Sequence, residues 1–309
     1  MVHKNITSCI KGGTRSKLNQ ADLKEITFIH PTSLTEQRKI ARILSTVDAV
    51  IEKSEAAIAK YKAIKSGMMC DLFNRGIDLQ TGKLRPCYED APELYKQSEL
   101  GWVPKEWETA PLVELTTQIG DGIHATPNYS SNTDYFFING NNLSDGNIKI
   151  SNECPCVNEE EYIKHFKELN TRTILYSING TIGNIALYNF EKVILGKSAA
   201  YISCVKNFDF GHLYFYMQTE FVSNFYKNEM TGSTIKNLSL ASIRNTPIAY
   251  PINSKEQNKI AEKIKSIHQK ILIESFFLAK KQQLKAALMS DLLTGKVRVK
   301  YEEETAEAQ

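Results

Sequence analysis

The stretch "PTSLTEQRKIA" at positions 31 to 41 returns as "PINSKEQNKIA" at 251 to 261, 220 residues later. Self-similarity at a fixed offset constrains a chain more than any local propensity, because both copies must build the same kind of element. The same offset pairs Gly12, Thr14, Leu18, Ala21 and Pro31 with Gly232, Thr234, Leu238, Ala241 and Pro251 without a gap. It pairs Glu36, Gln37, Lys39, Ile40 and Ala41 with Glu256, Gln257, Lys259, Ile260 and Ala261, and continues to Asp71 and Leu72 against Asp291 and Leu292. Two copies are too few for a solenoid, so the chain reads as two related elements separated by one large insert.

From its proline onward each copy predicts a long helix. In the first, Ile40, Leu44, Val47, Ile51, Ser54, Ile58, Tyr61, Lys65, Met68 and Leu72 recur at alternating steps of four and three. In the second the equivalent seam is Ile260, Ile264, Ile267, Ile271, Glu274, Leu278, Lys281, Lys285, Leu288 and Leu292. A period of 3.5 residues sustained this long is the pattern of a paired helix seam, and burying its aliphatic positions outweighs a few polar interruptions. Ser33 or Thr35, and Asn253 or Ser254, can supply the N-cap oxygen, while Gly76 and Gly295 stand where a C-cap glycine belongs. At 1.5 Å per residue, helices of about forty residues are on the order of 60 Å long, the dimensions of a spacer.

The insert has another texture. It opens with "SELGWVPKEWE", which holds both tryptophans, and continues as short β-branched and aromatic runs at 135–140, 172–180, 182–190 and 199–206, punctuated by Asn-Gly and Asp-Gly turns. One helix is expected over 212–228, with Leu213, Tyr216, Met217, Phe221 and Phe225 facing a core. The fold class is therefore α+β: one strand-rich domain plus two long coiled-coil helices. The division reads as residues 1–30, a first helix 31–76, a linker 77–99, a domain 100–250, a second helix 251–295 and a tail 296–309.

Charge and composition exclude several function classes. The overall charge is only +3, and residues 100–250 carry 11 basic against 15 acidic side chains, so the basic excess lies in the repeats and their flanks. No apolar run is long enough to cross a membrane as a helix and the N-terminus lacks a secretory core, so the expectation is a cytoplasmic protein. The six cysteines are scattered, and Cys154 and Cys156 are too close together for a CxxC pair; reduced structural thiols and no metal site are expected. "LGKS" at 195–198 imitates the end of a phosphate loop, yet Glu191 stands where that loop needs glycine. The histidines are isolated from one another. No catalytic residues are assigned.

The phrases "LGWVPKEWE", "GDGIHATP", "SINGTIGNIAL", "GKSAAYI", "TGSTIKNLSLASIRNTPIAYP" and "EQNKIAEKI", set in this repeat architecture, resemble the specificity subunit of type I restriction-modification systems across essentially the whole chain. The resemblance implies target recognition domains alternating with two helices that act as a ruler between two half-sites on double-stranded DNA. It implies a subunit without catalysis or cofactor of its own. S-adenosylmethionine would be bound by partner methyltransferase subunits, and ATP used by partner restriction subunits. One full recognition domain is legible, and residues 1–30 read as the closing tail of another. The resemblance is thus to a half-length or N-terminally truncated form, which would pair with a second copy or with another specificity fragment. The alternative is a scaffold or inactive fragment that binds the methyltransferase subunit through its helices and reads no DNA.

Base edges are read by hydrogen-bonding side chains and phosphates are held by cations. The candidate DNA-binding residues are the polar loop positions His124, Thr126, Asn128, Asn141, Asn142, Asn179, Thr181, Lys197, Ser198, Thr231, Ser233, Thr234 and Lys236.

Overall fold

The computed structural model describes residues 20, 24, 29–230 and 236–300. Most of the expected segment 1–30 and most of the tail 296–309 therefore lie outside the described residues, as do Thr231, Ser233 and Thr234. In chain order the elements are α1 (Leu34–Arg75), β1 (Tyr95–Ser98), β2 (Gly101–Pro104), β3 (Trp107–Pro111), β4 (Thr116–Asp121), β5 (Tyr129–Ser130) and β6 (Tyr135–Ile138). There follow β7 (Leu143–Ser144), β8 (Asn147–Ile148), β9 (Cys156–Val157), α2 (Glu159–His165), β10 (Thr173–Ser177), β11 (Ile185–Leu187), β12 (Val193–Leu195) and β13 (Ala199–Cys204). The chain continues through α3 (Phe210–Tyr216), α4 (Glu220–Glu229), α5 (Leu240–Arg244) and β14 (Pro247–Pro251) to α6 (Ser254–Leu293).

The chain divides into two compact units inside the long helices, not at their ends: residues 1–63 with 268–309, and residues 64–267. In the first unit α1 and α6 run antiparallel, since Asp48 meets Lys285 while Ser54, further along α1, meets Lys281, further back along α6. Along both helices every seam position is buried or half-buried, Ile40, Ile58, Leu72, Ile260, Ile264, Ile267, Ile271 and Leu292 most completely. Ser33 caps α1, its hydroxyl accepting the Glu36 N–H at 3.4 Å, and the Asn253 side chain accepts the Lys255 N–H at 2.9 Å at the start of α6. Gly76 and Gly295 take φ of +66° and +73° just past the helix ends.

The second unit is built on two four-stranded sheets. One runs β11-β10-β13-β4, antiparallel throughout; the other runs β12-β6-β9-β5, with β12 and β6 parallel. Successive side chains of a strand point to opposite faces, and the central strands use both. From β10, Ile174 and Tyr176 enter the main core while Leu175 enters a second one; from β13, Ala200, Ile202 and Cys204 go one way and Ala199 and Tyr201 the other. That double burial explains why these strands read as continuous apolar runs. The main core also takes Met69, Leu72 and Phe73 from the end of α1 and Ile260, Ala261 and Ile264 from the start of α6.

One sequence expectation is corrected. The helix expected over 212–228 is two helices, because the Thr219 hydroxyl donates to the Tyr216 carbonyl at 2.8 Å and accepts the Val222 N–H at 3.3 Å. It closes α3 and caps α4 in one residue. Leu213, Tyr216 and Met217 are buried, and Phe225 packs against the core, but Phe221 is 41% exposed.

His212 lies fully buried, edge-on to Phe73 and Phe208. Burial pushes its pKa down to about 4, so the folded state holds it neutral where an unfolded chain begins to protonate near the ordinary value of about 6.5. Between those two values the unfolded chain binds the extra proton, and stability falls as pH falls. Unfolding in urea from pH 7.5 down to pH 4 should therefore show a loss of up to about 3 kcal/mol attributable to this group, and His212→Phe should flatten that part of the profile. A second expectation concerns Glu256, 1% exposed and ion-paired to buried Arg85. Glu256→Ala should cost about 3–5 kcal/mol in urea unfolding by stranding the guanidinium. Asp71→Ala, which removes a half-exposed i,i+4 pair with Arg75, should cost at most about 1 kcal/mol.

Candidate nucleic-acid interface

In the second unit, four strand ends and one return segment are knitted together by backbone approach. Past β4, Gly122 lies so close to the end of β12 that a Cβ there would fall 1.9 Å from the Leu195 carbonyl oxygen; only glycine allows the Ile123 N–H to reach that carbonyl at 2.7 Å. Past β6, the Gly196 N–H donates to the Ile138 carbonyl at 2.8 Å. Past β10, the Ile178 N–H donates to the Ser198 carbonyl at 3.0 Å, the Leu238 N–H to Ile178 at 2.9 Å, and the Gly180 N–H to Lys236 at 3.1 Å.

An inner layer of short polar side chains completes the joint. The Ser198 hydroxyl accepts from the Gly140 N–H at 2.9 Å and donates to Asn139 Oδ1 at 3.0 Å. Asn142 Oδ1 accepts the Asn139 N–H at 2.9 Å while its amide donates to the Lys149 carbonyl at 3.1 Å. The Asn184 side chain donates to the Gly140 carbonyl at 3.2 Å, and its backbone N–H to the Ser177 hydroxyl at 2.7 Å. Asn142 and Ser198, both candidates for base reading, are therefore spent on the scaffold. Asn139 and Asn184 belong to the same layer and were not among the candidates; the clue was their adjacency to Gly140 and Gly183 in "NGNN" and "GN".

The outer residues of the cluster are different. Asn141, Thr181, Lys197 and Lys236 are exposed, and Asn179 is half-exposed, its amide 3.4 Å from Asn237 Oδ1. His124 and Thr126 are exposed on the loop that leaves Ile123, with His124 Nε2 at 2.9 Å from Asp121 Oδ2. Asn128, further along that loop, is tied elsewhere: its backbone N–H and side-chain amide reach Glu161 at 3.3 and 3.4 Å. Burial pushes the Glu161 carboxyl up, but the Asn128 N–H and the charges of Lys164 and His165 outweigh it and hold it below the usual range. The cluster offers donors, acceptors and two exposed ammonium groups on a rigid base, the equipment for contacting base edges and phosphates. Among the described residues no group of His, Cys, Asp and Glu is arranged to hold a metal ion, and no helix is long and apolar enough to cross a membrane.

The repeated words acquire a structural meaning in the two helix starts. Gln37 and Gln257 each donate their side-chain amide to the carbonyl of the preceding repeat proline, Pro31 and Pro251, at 2.7 Å in both cases. Glu36 and Glu256 each receive an arginine. Glu256 is bound by Arg85, with Nη2 at 2.9 Å from Oε2, and Glu36 by Arg298, at 2.7 and 2.6 Å. Those arginines sit in a second repeat, "TGKLR" at 81–85 and "TGKVR" at 294–298. It escapes an ungapped search at the main offset because its own offset is 213, seven residues shorter.

A family model described as the type I restriction modification DNA specificity domain matches residues 2–60 and 104–286. The chain is 29% identical over 307 residues to the protein named as the MjaX type I restriction enzyme specificity subunit of Methanocaldococcus jannaschii, covering 96% of this chain and 66% of that one. It is 25% identical over 276 residues to the MjaVIII type I restriction enzyme specificity subunit of the same organism, covering 86% of this chain and 61% of that one. This chain thus spans somewhat less than two thirds of the length of these relatives. The crystal structure of a type I restriction-modification system S subunit from M. genitalium superposes with a TM-score of 0.59 at 16% identity, covering 94% of this chain and 69% of that one, a likeness of fold. With the family model matching well over half of the chain, both helix starts and the strands from β3 onward included, the chain belongs to the type I restriction modification DNA specificity domain family.

Proposed function

We propose that this chain is a sequence-specific DNA-recognition subunit that places methyltransferase and restriction subunits on a bipartite target. The observation that carries this reading is the loop cluster, in which Asn139, Asn142, Asn184 and Ser198 are consumed internally and thereby hold Asn141, Thr181, Lys197 and Lys236 outward on a rigid base. Preorganised polar groups on a scaffold are what base readout requires, since each contact then discriminates without the entropy cost of ordering a loop. The antiparallel helix pair of the first unit supplies the spacer. A second recognition module would come from another copy or another specificity fragment, S-adenosylmethionine from the methyltransferase subunit and ATP hydrolysis from the restriction subunit.

The net negative charge of residues 100–250 puts most phosphate attraction on the partners. The salt dependence of DNA binding by the isolated chain should accordingly be shallower than that of the assembled complex, whose slope counts every phosphate neutralised. Fluorescence anisotropy at several salt concentrations measures both, and equal slopes would contradict the assignment.

Co-expression with the methyltransferase subunit, followed by mapping of methylated adenines by single-molecule sequencing, tests the function directly. A split motif is expected, palindromic if two copies pair and asymmetric if a different fragment completes the site. Lys197→Ala with Lys236→Ala should reduce methylation at least tenfold, as expected for two phosphate or base contacts of about 1 kcal/mol each, while leaving assembly and thermal stability unchanged. Ser198→Ala should instead lower stability by about 1 kcal/mol. Full methylation by the double lysine variant would overturn the reading in favour of a scaffold.

A further inference from the structure

A wholly apolar seam drives a helix pair together but leaves its register open, because sliding one helix by a heptad matches apolar positions with apolar positions again. In the first unit the seam is interrupted at Ser54 of α1 and at Glu274, Lys281 and Lys285 of α6. These polar positions meet one another. The Lys281 ammonium donates to the Ser54 hydroxyl, which is only 4% exposed and passes its own proton to the Val50 carbonyl at 3.2 Å. The same ammonium lies 3.3 Å from Glu274 Oε1, seven residues back along its own helix. Lys285 closes on Asp48 of α1 at 2.6 Å.

We propose that Ser54, Glu274 and Lys281 form a register-setting polar layer, with Asp48 and Lys285 as a second pin, and that this layer determines the length the helix pair spans. A slip of one heptad in either direction moves Lys281 from Ser54 to the position of Tyr61 or of Val47, and moves Lys285 from Asp48 to Glu55 or Ala41, so the second pin opposes one direction of slip. Val47 offers no acceptor, and Tyr61 carries its hydroxyl at the far end of its ring, well beyond the place the Ser54 hydroxyl holds beside the helix, so the half-buried ammonium loses this contact in both slipped states. The layer thus excludes slipped registers together with the Glu36–Arg298 and Glu256–Arg85 pairs at the two helix starts, at some expense in apolar burial. Its consequence for target spacing rests on the spacer role proposed above; the register itself does not.

The test uses the full chain carrying nitroxide labels at the exposed positions Lys53 and Gln283, introduced through a bioorthogonal amino acid so that the native cysteines stay intact. Pulsed electron paramagnetic resonance should give one distance for the parent chain. The Ser54→Leu, Glu274→Leu, Lys281→Leu triple variant should keep its helix content but gain a second, minor distance population, displaced by roughly 10 Å along the axis, seven residues at about 1.5 Å each. Lys281→Met alone should broaden the distribution, and the exchanged pair Glu274→Lys with Lys281→Glu should restore a single distance. A single parental distance in both the triple variant and Lys281→Met would overturn the proposal. Two distances accompanied by a methylation motif of one unchanged spacer length would uphold the register layer and reject the spacer role.

Discussion

The junction of the two long helices with the first strands of the strand-rich unit depends on one buried carboxylate. Glu256 Oε1 accepts the Ile77 N–H at 2.9 Å and the Trp107 indole N–H at 3.1 Å, while Arg85 spans both oxygens. Those donors come from the residue after the C-cap of α1, from the first residue of β3, and from the linker between them. One side chain on the first turn of α6 therefore joins the end of one helix, the entry strand of the strand-rich unit and the start of the other helix. A carboxylate with so many donors has its desolvation offset, and its removal leaves several of them unpaired at once. Gly76 completes the joint, since any side chain there would collide with Glu256, Arg85 and Trp107.

The same device appears a second time with different donors. Glu36 is bound by Arg298 through both of its oxygens, and the Val299 N–H also reaches it; the guanidinium holds its carboxyl below the usual range. Each copy of the repeat thus contributes a glutamate at its helix start and a Thr-Gly-Lys-x-Arg segment past its helix end, and each glutamate takes the arginine of the other copy. Reciprocal exchange of this kind follows from antiparallel packing, which puts the end of one helix beside the start of the other.

Around the loop cluster, the division of labour among polar residues follows from accessibility. Gly122, Gly140 and Gly196 bring backbones so close that the short side chains between them have nowhere to turn except to one another. Asn142 and Ser198 satisfy half-buried peptide groups, and Asn139 accepts the Ser198 hydroxyl; left unpaired, such groups cost about 1 kcal/mol or more each. Residues one step along, Asn141 and Lys197, have no such claim on them and remain exposed. Asn141 and Asn142, adjacent and of the same chemistry, are therefore placed differently, one bonded into the joint and the other left exposed.

What the sequence by itself determined is whatever depends on periodicity. The 220-residue repeat, the 3.5-residue seam ending at Gly76 and Gly295, and the strand runs that became β6, β10, β11 and β13 are all written in the local pattern of side chains, whereas the choice of Ser33 over Thr35 and of Asn253 over Ser254 as caps was made by the fold. The tertiary structure alone decided which polar residues face one another. The split of the 212–228 helix at Thr219, the meeting of Ser54 with Lys281, the Glu256 joint and the internal use of Asn142 and Ser198 each depend on groups brought together from distant parts of the chain or on a hydroxyl choosing between two partners. A hydrogen bond needs its donor and acceptor within about 3 Å and in line, and no periodicity along the chain encodes that meeting.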